Sequence, residues 1–577
     1  MSASPAQPPV NRSAALAEGA VLLLAIVLRI WAWASIEGSW DATHPRVDAL
    51  TYWQQALQLL AEENPFAQGY YQPPGYPWLL SWQQAFTDTP DPRISRVFNL
   101  LFGALSALGI GRIGRITSGW KYGGALAMGL FVLSSAPLRF ELDLLTPATS
   151  ILLLVASLNL LLPKPRPLES GIAGLLAGAG VLIHPTTLPA GLLIGAWLLY
   201  KNRASGAAWL LALLLPIVPL AIENRQEHDS TALISDNGGL NLYLFNSPNW
   251  KETAFLRPGL PFRKLVLDAE PDKRSLPERN AYWKQRTMDE LELGPWLLSV
   301  GEKAWWSIHN REIPRNEDWR CRTESGYLAW TRALPVRAGW LFPFAILGAV
   351  ALLRKREGTL PLAAIGLWLP LLIFLPAERY RLPLFPLLCV LSSIGVKGLI
   401  DGFRAGTVDK RWGLLLLPLT LSFWPIDHVT AAQPGWCAHR LGNLAFEQGE
   451  LDGAVEQYTL ATQSEPNNPG HWYWLAQTHL RQKETAQAIQ ALERTAALFP
   501  AHYETRKQLQ KEHGRLGQYS HAADHAGAGC VLPGAAEIMC ARHIQLLVKA
   551  DRRDEAREAL KERPELAMHE RVKGLGL

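Results

Sequence analysis

Residues 14–36, AALAEGAVLLLAIVLRIWAWASI, decide the class of fold, because they form a long and almost entirely apolar run. A helix of this length crosses the roughly 30 Å of hydrocarbon in a bilayer. The run has no convincing cleavage site, so we interpret it as a retained helix rather than a signal peptide. The sequence therefore predicts an all-α, multi-pass membrane bundle of about eleven helices. The other apolar runs are at 94–112, 120–138, 144–162, 170–184, 186–200, 207–222, 338–353, 359–376, 382–399 and 412–428.

Basic residues occur in alternate connections between these runs and set the orientation. Because Lys and Arg are costly to translocate, they accumulate in cytoplasmic loops. We therefore predict a cytoplasmic N-terminus, with the loops at 37–93, 139–143, 223–337 and 377–381 on the opposite side together with the tail. The expected domains are 1–430 in the membrane and 434–577 outside it. The basic residues concerned are Arg12, Arg112, Arg115, Lys121, Lys164, Arg166, Lys201, Arg203, Arg354, Lys355, Arg356, Lys410 and Arg411.

The charge and the cysteines limit the remaining classes of function. The net charge of +5 is mostly an orientation signal, and no basic patch with interleaved aromatic residues occurs, so we predict no nucleic-acid partner. No Cys-x-x-Cys or Cys/His ligand spacing occurs either, which gives a zinc site little support. Four cysteines would face an oxidising compartment, where disulfides are stable. The sequence leaves pairing open among Cys321, Cys437, Cys530 and Cys540.

The tail repeats itself every 34 residues. Small residues recur where two helices of a pair would touch, a second set marks the turn between them, and prolines close the first two units. These positions are Ala454, Ala488, Ala522 and Ala556; Gly449, Lys483, Gly517 and Asp551; and Pro466 and Pro500. Further matches at Leu441, Gly442, Ala445, Phe446, Tyr458 and Ala461 make the first unit resemble the tetratricopeptide pattern.

Four such units predict a short α-solenoid with a concave surface. Such a surface is suited to holding a peptide or another protein, so we expect a protein acceptor or partner to bind the tail. The alternative is that the repeats only pack against the membrane domain or mediate self-association.

The loop at 37–93 carries the strongest candidate residues, because charge beside a membrane helix is expensive and marks functional sites. It contains Asp48, followed by Tyr52, and ends in the segment QPPGYP at 72–77. Asp48 heads a predicted amphipathic helix that lies along the membrane surface. The alternative role for this aspartate is a helix N-cap.

Four segments in order resemble bacterial glycosyltransferase family 39-like proteins of the GT-C superfamily, which use polyprenyl-phosphate-linked sugars. The first is the Asp48 loop with QPPGYP before the second apolar run. The others are FELDLL at 140–145, NGGLNLYLFNSP at 237–248 and ERYRLP at 378–383. The similarity extends over residues 20–400. It implies a GT-C-type membrane domain in a bacterial inner membrane, inverting sugar transfer on the outer side, and a periplasmic tail.

The resemblance implies a donor whose sugar is carried on a lipid phosphate, so the leaving group needs its charge neutralised. Arg379, Arg381 and Tyr380 are the expected phosphate-binding residues, with interfacial snorkelling as the alternative for the two arginines. The acceptor must lose a proton as it attacks. Asp48 is the expected catalytic base, with Glu141 as its companion. A carboxylate pair could instead hold a divalent cation, so metal dependence stays open.

Five further residues are expected to contact substrate. Asp143 follows Glu141 in the second outer loop, Tyr76 belongs to the QPPGYP segment, and His184 stands at the outer break between two apolar runs. Asn237 and Asn241 offer amide groups that can hydrogen-bond a sugar ring or a pyrophosphate. A simple turn is the alternative for the asparagine segment, and a satisfied polar residue at a helix end is the alternative for His184.

Several functions compete at this point. The first is transfer of a sugar from a polyprenyl-phosphate donor to a periplasmic acceptor, with a protein as one candidate, since animal O-mannosyltransferases also carry tetratricopeptide units after a GT-C domain. Others are a polysaccharide or lipid-glycan ligase or polymerase, and a non-catalytic scaffold that presents the repeats. A secondary transporter predicts internal hydropathy symmetry and ionisable residues at the bilayer midplane, and the sequence has neither.

Overall fold

The computed structural model describes residues 12–577 except 163, 257, 268–273, 316–320, 322–327, 407–412, 427–433 and 533–534. The described residues form helices joined by turns and loops, with one isolated bridge between Ser134 and Val336. The prediction of an all-α fold is therefore confirmed. The chain divides into two compact units, which are Met1–Phe255 with Ser275–Ala431 and Leu256–Arg274 with Ala432–Leu577.

The first unit contains apolar helices of two lengths. Helices that have the length and hydropathy to cross a membrane are Arg12–Ile36, Pro92–Ser118, Arg203–Glu227 and Glu378–Arg404. Shorter apolar helices are Gly123–Val132, Pro147–Leu161, Pro167–Ile183, Ala338–Arg354 and Thr359–Ile373. The chain is thus a multi-pass membrane protein, while a total of about eleven spans stays a prediction. Lys410 and Arg411, which contribute to the predicted orientation, lie outside the described residues.

Several predicted apolar runs are divided in the structure. The run at 120–138 becomes the helix Gly123–Val132 and a separate helix Ser135–Glu141. Arg203–Glu227 consists of Arg203–Leu214 and Ile217–Glu227 with Pro216 at the joint, where a missing N–H interrupts the helical hydrogen bonds. Other helices of this unit are Trp40–Thr43, Asp48–Leu60, Gly75–Gln84, Leu188–Lys201, Gly238–Asn246, Trp250–Thr253, Leu276–Glu290, Leu293–Ile308, Glu378–Arg381, Phe385–Arg404 and Gly413–Phe423, with 3-10 turns at Pro185–Thr187, Ala329–Ala333 and Leu382–Leu384.

The surface of the first helix suits lipid rather than water. Leu23, Ile30 and Trp31 are each more than half exposed, whereas Ala25 and Ala32 are fully buried against the rest of the unit. Large apolar side chains exposed in a row are unfavourable in water and are expected on a helix that faces hydrocarbon.

The described part of the tail forms four consecutive helix pairs. They are Pro434–Gln448 with Leu451–Ser464, Pro469–Arg481 with Thr485–Leu498, Tyr503–Arg515 with Tyr519–Cys530, and Glu537–Lys549 with Arg553–Glu562, followed by a 3-10 turn at Pro564–Met568. The small residues that repeat every 34 positions are all fully buried, namely Ala454, Ala488, Ala522 and Ala556.

The turn inside each pair has a left-handed residue at the same repeat position. Gly449 and Gly517 have φ of 82° and 72°, and Lys483 and Asp551 have φ of 65° and 62°. This conformation ends a helix and lets the chain reverse, and glycine adopts it without a Cβ penalty. The predicted role of this set of residues as turns is therefore confirmed, including the two positions without glycine.

The second unit also contains a disulfide and a helix from a distant part of the sequence. Cys530 and Cys540 form a disulfide with a Cα–Cα distance of 4.8 Å, which joins the third helix pair to the fourth. The helix Leu260–Val266, from the predicted outer loop at 223–337, groups with the tail, and Lys264 Nζ donates to the carbonyl oxygen of Leu498 at 3.1 Å. The sequence did not indicate that part of this loop belongs with the repeats.

Candidate functional site

Asp48 and Arg379 form the centre of the candidate site. Asp48 is the first residue of the helix Asp48–Leu60, and its Oδ2 accepts a hydrogen bond of 2.5 Å from Arg379 Nη1. The N-cap of that helix is Val47, without a side-chain cap, so the Asp48 carboxylate serves an ion pair rather than the helix end. Val47 has φ of 53°, a strained value for a β-branched residue. Such strain is often found where neighbouring structure holds a functional residue in place.

The Arg379 guanidinium is surrounded by groups that orient it. Its Nη2 donates to the Tyr380 hydroxyl at 2.6 Å, and Arg315 interacts electrostatically with both Asp48 and Tyr380. The His184 ring lies 6.2 Å from the Tyr380 ring, centroid to centroid. The site therefore has two arginines beside one carboxylate, an arrangement that favours an anionic ligand.

Two buried polar atoms at this position have no hydrogen-bond partner among the described residues. They are Nε of Arg379 and Nε2 of His184. The other ring nitrogen of His184, Nδ1, lies 3.0 Å from Thr146 Oγ1, which fixes the ring. Buried polar groups are normally paired, so unpaired ones beside a charged cluster point to a ligand.

Glu141 forms a second buried ion pair. Arg29 Nη2 donates to Glu141 Oε1 at 2.6 Å, and both side chains are almost fully buried. The carboxylate lies against Gly103, where a Cβ atom would overlap it. Glu141 ends a short helix in the connection between two apolar helices, and its burial raises the carboxyl pKa to about 7 although Arg29 opposes the shift. Oε2 of Glu141 has no hydrogen-bond partner among the described residues.

Asn99 connects Asp143 with Tyr76. Its Nδ2 donates to the Asp143 carbonyl oxygen at 2.8 Å and lies 3.4 Å from the Tyr76 hydroxyl. The fully buried Tyr76 ring packs edge-on against Tyr52 at 5.3 Å, and Tyr52 interacts electrostatically with Asp48. Tyr76 and Asp143 are thus joined to the Asp48 site through packed neighbours.

Arg381 does not share the environment of Arg379. Its guanidinium donates to the backbone carbonyl oxygens of Ser307 at 3.2 Å, His309 at 2.8 Å and Arg311 at 3.4 Å. The side chain therefore holds a loop in place, and the structure does not bring it to Asp48. Residues two positions apart on a helix are separated by about 200° around its axis, which explains why Arg379 and Arg381 contact different partners.

Asn237 and Asn241 also lie apart from the ion pairs. Asn237 Oδ1 accepts from Ser235 Oγ at 3.2 Å, directly before the helix Gly238–Asn246 that contains Asn241. The backbone N–H of Gly239 donates to Asn280 Oδ1 at 2.6 Å, in a space too tight for a Cβ. In the structure this segment anchors two helices of the outer loop to each other.

Two buried arginines that the sequence did not single out connect the outer loops. Arg96 donates to the backbone carbonyl oxygens of Asp41 at 2.6 Å, Ala42 at 3.0 Å and Leu142 at 2.9 Å. Arg139 pairs with Glu312 and, at 2.7 Å, with Glu378. Arg139 stands next to the predicted FELDLL segment, but Glu312 lies in a stretch without a motif, so only the fold reveals their pairing.

Both carboxylates of the site pair with an arginine. Asp48 pairs with Arg379, and Glu141 pairs with Arg29. Within the described parts of the chain, groups of ligand atoms close enough for a metal ion are Glu223 with Glu227 and His228, and Glu493 with His513 and His525. Neither group includes Asp48 or Glu141.

Comparison with known proteins gives one family match and several distant structural similarities. The tetratricopeptide repeat model matches residues 439–503, which confirms that part of the tail as tetratricopeptide repeat. No curated protein matches the chain. The MamA protein crystal structure is 17% identical, with 32% of this chain and 92% of that chain covered and a TM-score of 0.21.

The larger part of the chain is similar to an oligosaccharyltransferase of Archaeoglobus fulgidus. The apo form is 16% identical, with 75% of this chain and 58% of that chain covered and a TM-score of 0.41. The complex of AglB with an inhibitory peptide and a dolichol-phosphate is 15% identical, with 76% and 59% covered and a TM-score of 0.40. The chain thus spans less than two thirds of these proteins. At such values the similarity assigns neither activity nor substrate to this chain.

Proposed function

We propose that the membrane unit is a glycosyltransferase that moves a sugar from a polyprenyl-phosphate donor to an acceptor at the outer face of a bacterial inner membrane. The observation that carries the proposal is the Asp48–Arg379 ion pair beside two unpartnered buried polar atoms, Arg379 Nε and His184 Nε2. A base next to an anion-binding guanidinium is what such a reaction requires.

In this proposal Arg379 binds the phosphate of the donor. A phosphate oxygen competes with the Asp48 carboxylate for the guanidinium, because both are anions and Arg379 has a fixed set of N–H donors. Tyr380, whose hydroxyl accepts from Arg379, and Arg315 stay beside the bound phosphate. Donor binding thereby breaks the resting ion pair and makes Asp48 available as a base.

Transfer is then a single displacement with inversion. The acceptor oxygen or nitrogen forms a bond to the anomeric carbon, and the bond from that carbon to the phosphate oxygen breaks. The electron pair leaves with the polyprenyl phosphate, whose charge Arg379 neutralises, and the acceptor proton passes to Asp48.

The remaining candidate residues position the substrates. His184 Nε2 contacts the donor sugar, and the buried Tyr76 packs behind the site, where Asn99 holds it beside Asp143. Glu141, whose carboxylate is buried against Arg29, orients the acceptor side of the site.

A protein acceptor held by the tetratricopeptide units is the acceptor class that the chain favours. This requires the tail to lie on the same side of the membrane as Asp48, that is, in the periplasm with the N-terminus in the cytoplasm. The Cys530–Cys540 disulfide supports this orientation, because such bonds persist in oxidising compartments and are rare in the cytosol.

The test is transfer by the purified full-length protein with a polyprenyl-phosphate-linked sugar as donor. Asp48→Asn keeps the size of the side chain and removes its basicity, so we expect transfer to fall by about 10²- to 10⁴-fold with the fold retained. Mass spectrometry of periplasmic proteins and lipids from cells with each variant identifies the acceptor.

Asp91→Asn is the matched control. Asp91 lies in the same outer loop, caps the helix Pro92–Ser118 and pairs with the exposed Arg93, so its loss should leave transfer nearly unchanged. Transfer by Asp48→Asn at the wild-type rate would overturn the transferase proposal. So would glycans that are unchanged both in a deletion strain and in a strain with Asp48→Asn. Either result would favour the alternative of a non-catalytic scaffold that presents the repeats.

A further inference from the structure

Three helices of the tail bring ligand-type side chains to one point. Glu493 comes from Thr485–Leu498, His513 from Tyr503–Arg515 and His525 from Tyr519–Cys530. Oε1 of Glu493 lies 2.9 Å from His525 Nε2 and 3.4 Å from His513 Nε2. Both ring nitrogens thus point at one carboxylate oxygen. Nothing in the proposed transferase site uses this cluster.

The proton on His513 is on the wrong nitrogen for an ordinary hydrogen bond to Glu493. His513 Nδ1 lies 2.7 Å from Gln518 Oε1, which can only accept, so Nδ1 carries the hydrogen. The lone pair of Nε2 in the neutral ring then faces a carboxylate oxygen at 3.4 Å. His513 is 6% exposed, so water does not separate the two acceptors easily. Two acceptors in this position are bridged either by a proton, which makes the ring an imidazolium, or by a metal cation.

The preceding repeat shows what the histidine does without the other ligands. His479 stands 34 residues before His513, and its Nδ1 lies 2.7 Å from Glu484, which stands 34 residues before Gln518. The turn contact is therefore common to both repeats. The equivalents of Glu493 and His525 are Thr459 and Ala491, neither of which is a metal ligand of this type. The added ligands are thus Glu493 on the last helix of the second pair and His525 on the last helix of the third pair.

A candidate for a fourth ligand lies on the same helix as His525. His521 precedes it by four residues, so the two rings lie on one face of the helix Tyr519–Cys530. The His521 ring centroid is 5.3 Å from that of His513, and the residue is exposed. Its side chain can turn toward the cluster without unpacking the core.

We propose that Glu493, His513 and His525 bind a Zn²⁺ ion, with His521 as the fourth ligand. The three ligand atoms lie within 4.8 Å of one another, and ligands at the usual zinc distances in a tetrahedral site are about 3.3 Å apart. Gln518 supplies the outer contact that fixes the His513 tautomer. The ion fastens the last helix of the second pair to both helices of the third, as structural zinc sites do.

Arg506 is the group that opposes the ion. Its Nη1 donates to Nδ1 of His525 at 3.2 Å, which places the His525 proton on Nε2. Zinc on Nε2 moves that proton to Nδ1, where it faces the guanidinium. Arg506 must therefore swing away when zinc binds. Arg506→Gln replaces the donor with an acceptor for Nδ1–H, so this variant should bind zinc more tightly than the wild type.

The test is isothermal titration of Zn²⁺ into the chelator-treated full-length protein in detergent at neutral pH. We expect one site in the wild type, weakened by at least about 100-fold in His513→Ala and His525→Ala, and tightened by about tenfold in Arg506→Gln. Co²⁺ in place of Zn²⁺ should give the visible bands of a tetrahedral ion, and these bands should be lost with Glu493→Gln, a near-isosteric change of an exposed residue.

His479→Ala is the matched control, because it removes the repeat-equivalent histidine and should leave zinc affinity unchanged. Far-UV circular dichroism and thermal unfolding in chelator check that each variant is folded. Zinc affinity that is equal in the wild type, His513→Ala and His525→Ala would overturn the proposal, and would assign any bound ion to another place such as Glu223, Glu227 and His228. No binding to the wild type would overturn it as well.

Discussion

Arg379 Nη1 reaches Asp48 Oδ2 at 2.5 Å across a sequence separation of 331 residues. The pair joins the first outer loop to the start of a late apolar helix, and both side chains are half-buried. An anionic ligand of Arg379 competes with this carboxylate for the same N–H donors. The ion pair is therefore a resting state that an anionic substrate can open.

Arg379→Lys tests whether the guanidinium binds the donor phosphate. Lysine keeps the charge but cannot donate to Tyr380 and a phosphate oxygen in the geometry of a planar fork. We expect the KM for the polyprenyl-phosphate donor to rise about 10- to 100-fold, since hydrogen bonds to charged groups contribute about 1.5–3 kcal/mol. Steady-state kinetics measure it. Arg93→Lys, at an exposed pair in the same outer loop, should change neither KM nor kcat.

Glu141→Gln should reveal the raised pKa of the buried carboxyl through stability. The folded-state pKa is about 7 against 4.5 when unfolded, so the folded state holds its proton longer and wild-type stability falls as pH rises from 4.5 to 7. The variant lacks this dependence. The difference in unfolding free energy, wild type minus variant, should therefore decrease by about 3 kcal/mol over that window and stay level above it. A difference independent of pH would contradict the assignment. Thermal unfolding at several pH values measures it.

Gly103→Ala should disturb the Glu141–Arg29 pair without touching either residue. The added methyl overlaps the Glu141 carboxylate, and we expect a loss of about 1–3 kcal/mol of stability from overpacking. Gly19→Ala is the control, because its Cβ meets nothing within 4 Å, and alanine is the better helix former. Thermal unfolding should separate the two variants in sign, and equal effects would show that Gly103 has no special packing role.

Substitutions at two equivalent turn positions of the repeats should change the stability of the tail in opposite directions. Lys483 has φ of 65°, which costs a residue with a Cβ about 1 kcal/mol, so Lys483→Gly should stabilise the tail by up to about that amount. Gly517 has φ of 72° at the equivalent position, so Gly517→Ala should destabilise it by a similar amount. Chemical denaturation of the full-length protein, followed in the tail by hydrogen exchange, checks both signs.

The sequence predicted the tail in more detail than the membrane unit. A strict 34-residue period fixes which alanines are buried and which residues turn, and the match at 439–503 confirms it as tetratricopeptide repeat. Apolar runs mark helices of the membrane unit but not their breaks, because a proline or a polar pair interrupts the helical hydrogen bonds without changing mean hydropathy. The number of spans therefore could not be confirmed.

The candidate site was predicted in part for a similar reason. Asp48, Arg379 and Tyr380 lie together, and each belongs to a recognisable segment. Glu312 and Arg315 have no motif and meet their partners only through the fold, as the separation of 173 residues between Arg139 and Glu312 illustrates. The expectation of little support for zinc considered Cys and His spacing along the chain, whereas the proposed ligands come from three separate helices.

The helix Leu260–Val266 means that the tail cannot be exchanged between proteins as one continuous segment. It is encoded inside the outer loop yet groups with the repeats, so the chain passes between the two units at three points rather than one. A fragment that begins at residue 432 would lack a native helix, and a membrane domain cut there would keep a helix without its neighbours. Exchange of this tail for that of a related protein by a single crossover should fail unless residues 256–274 are exchanged with it.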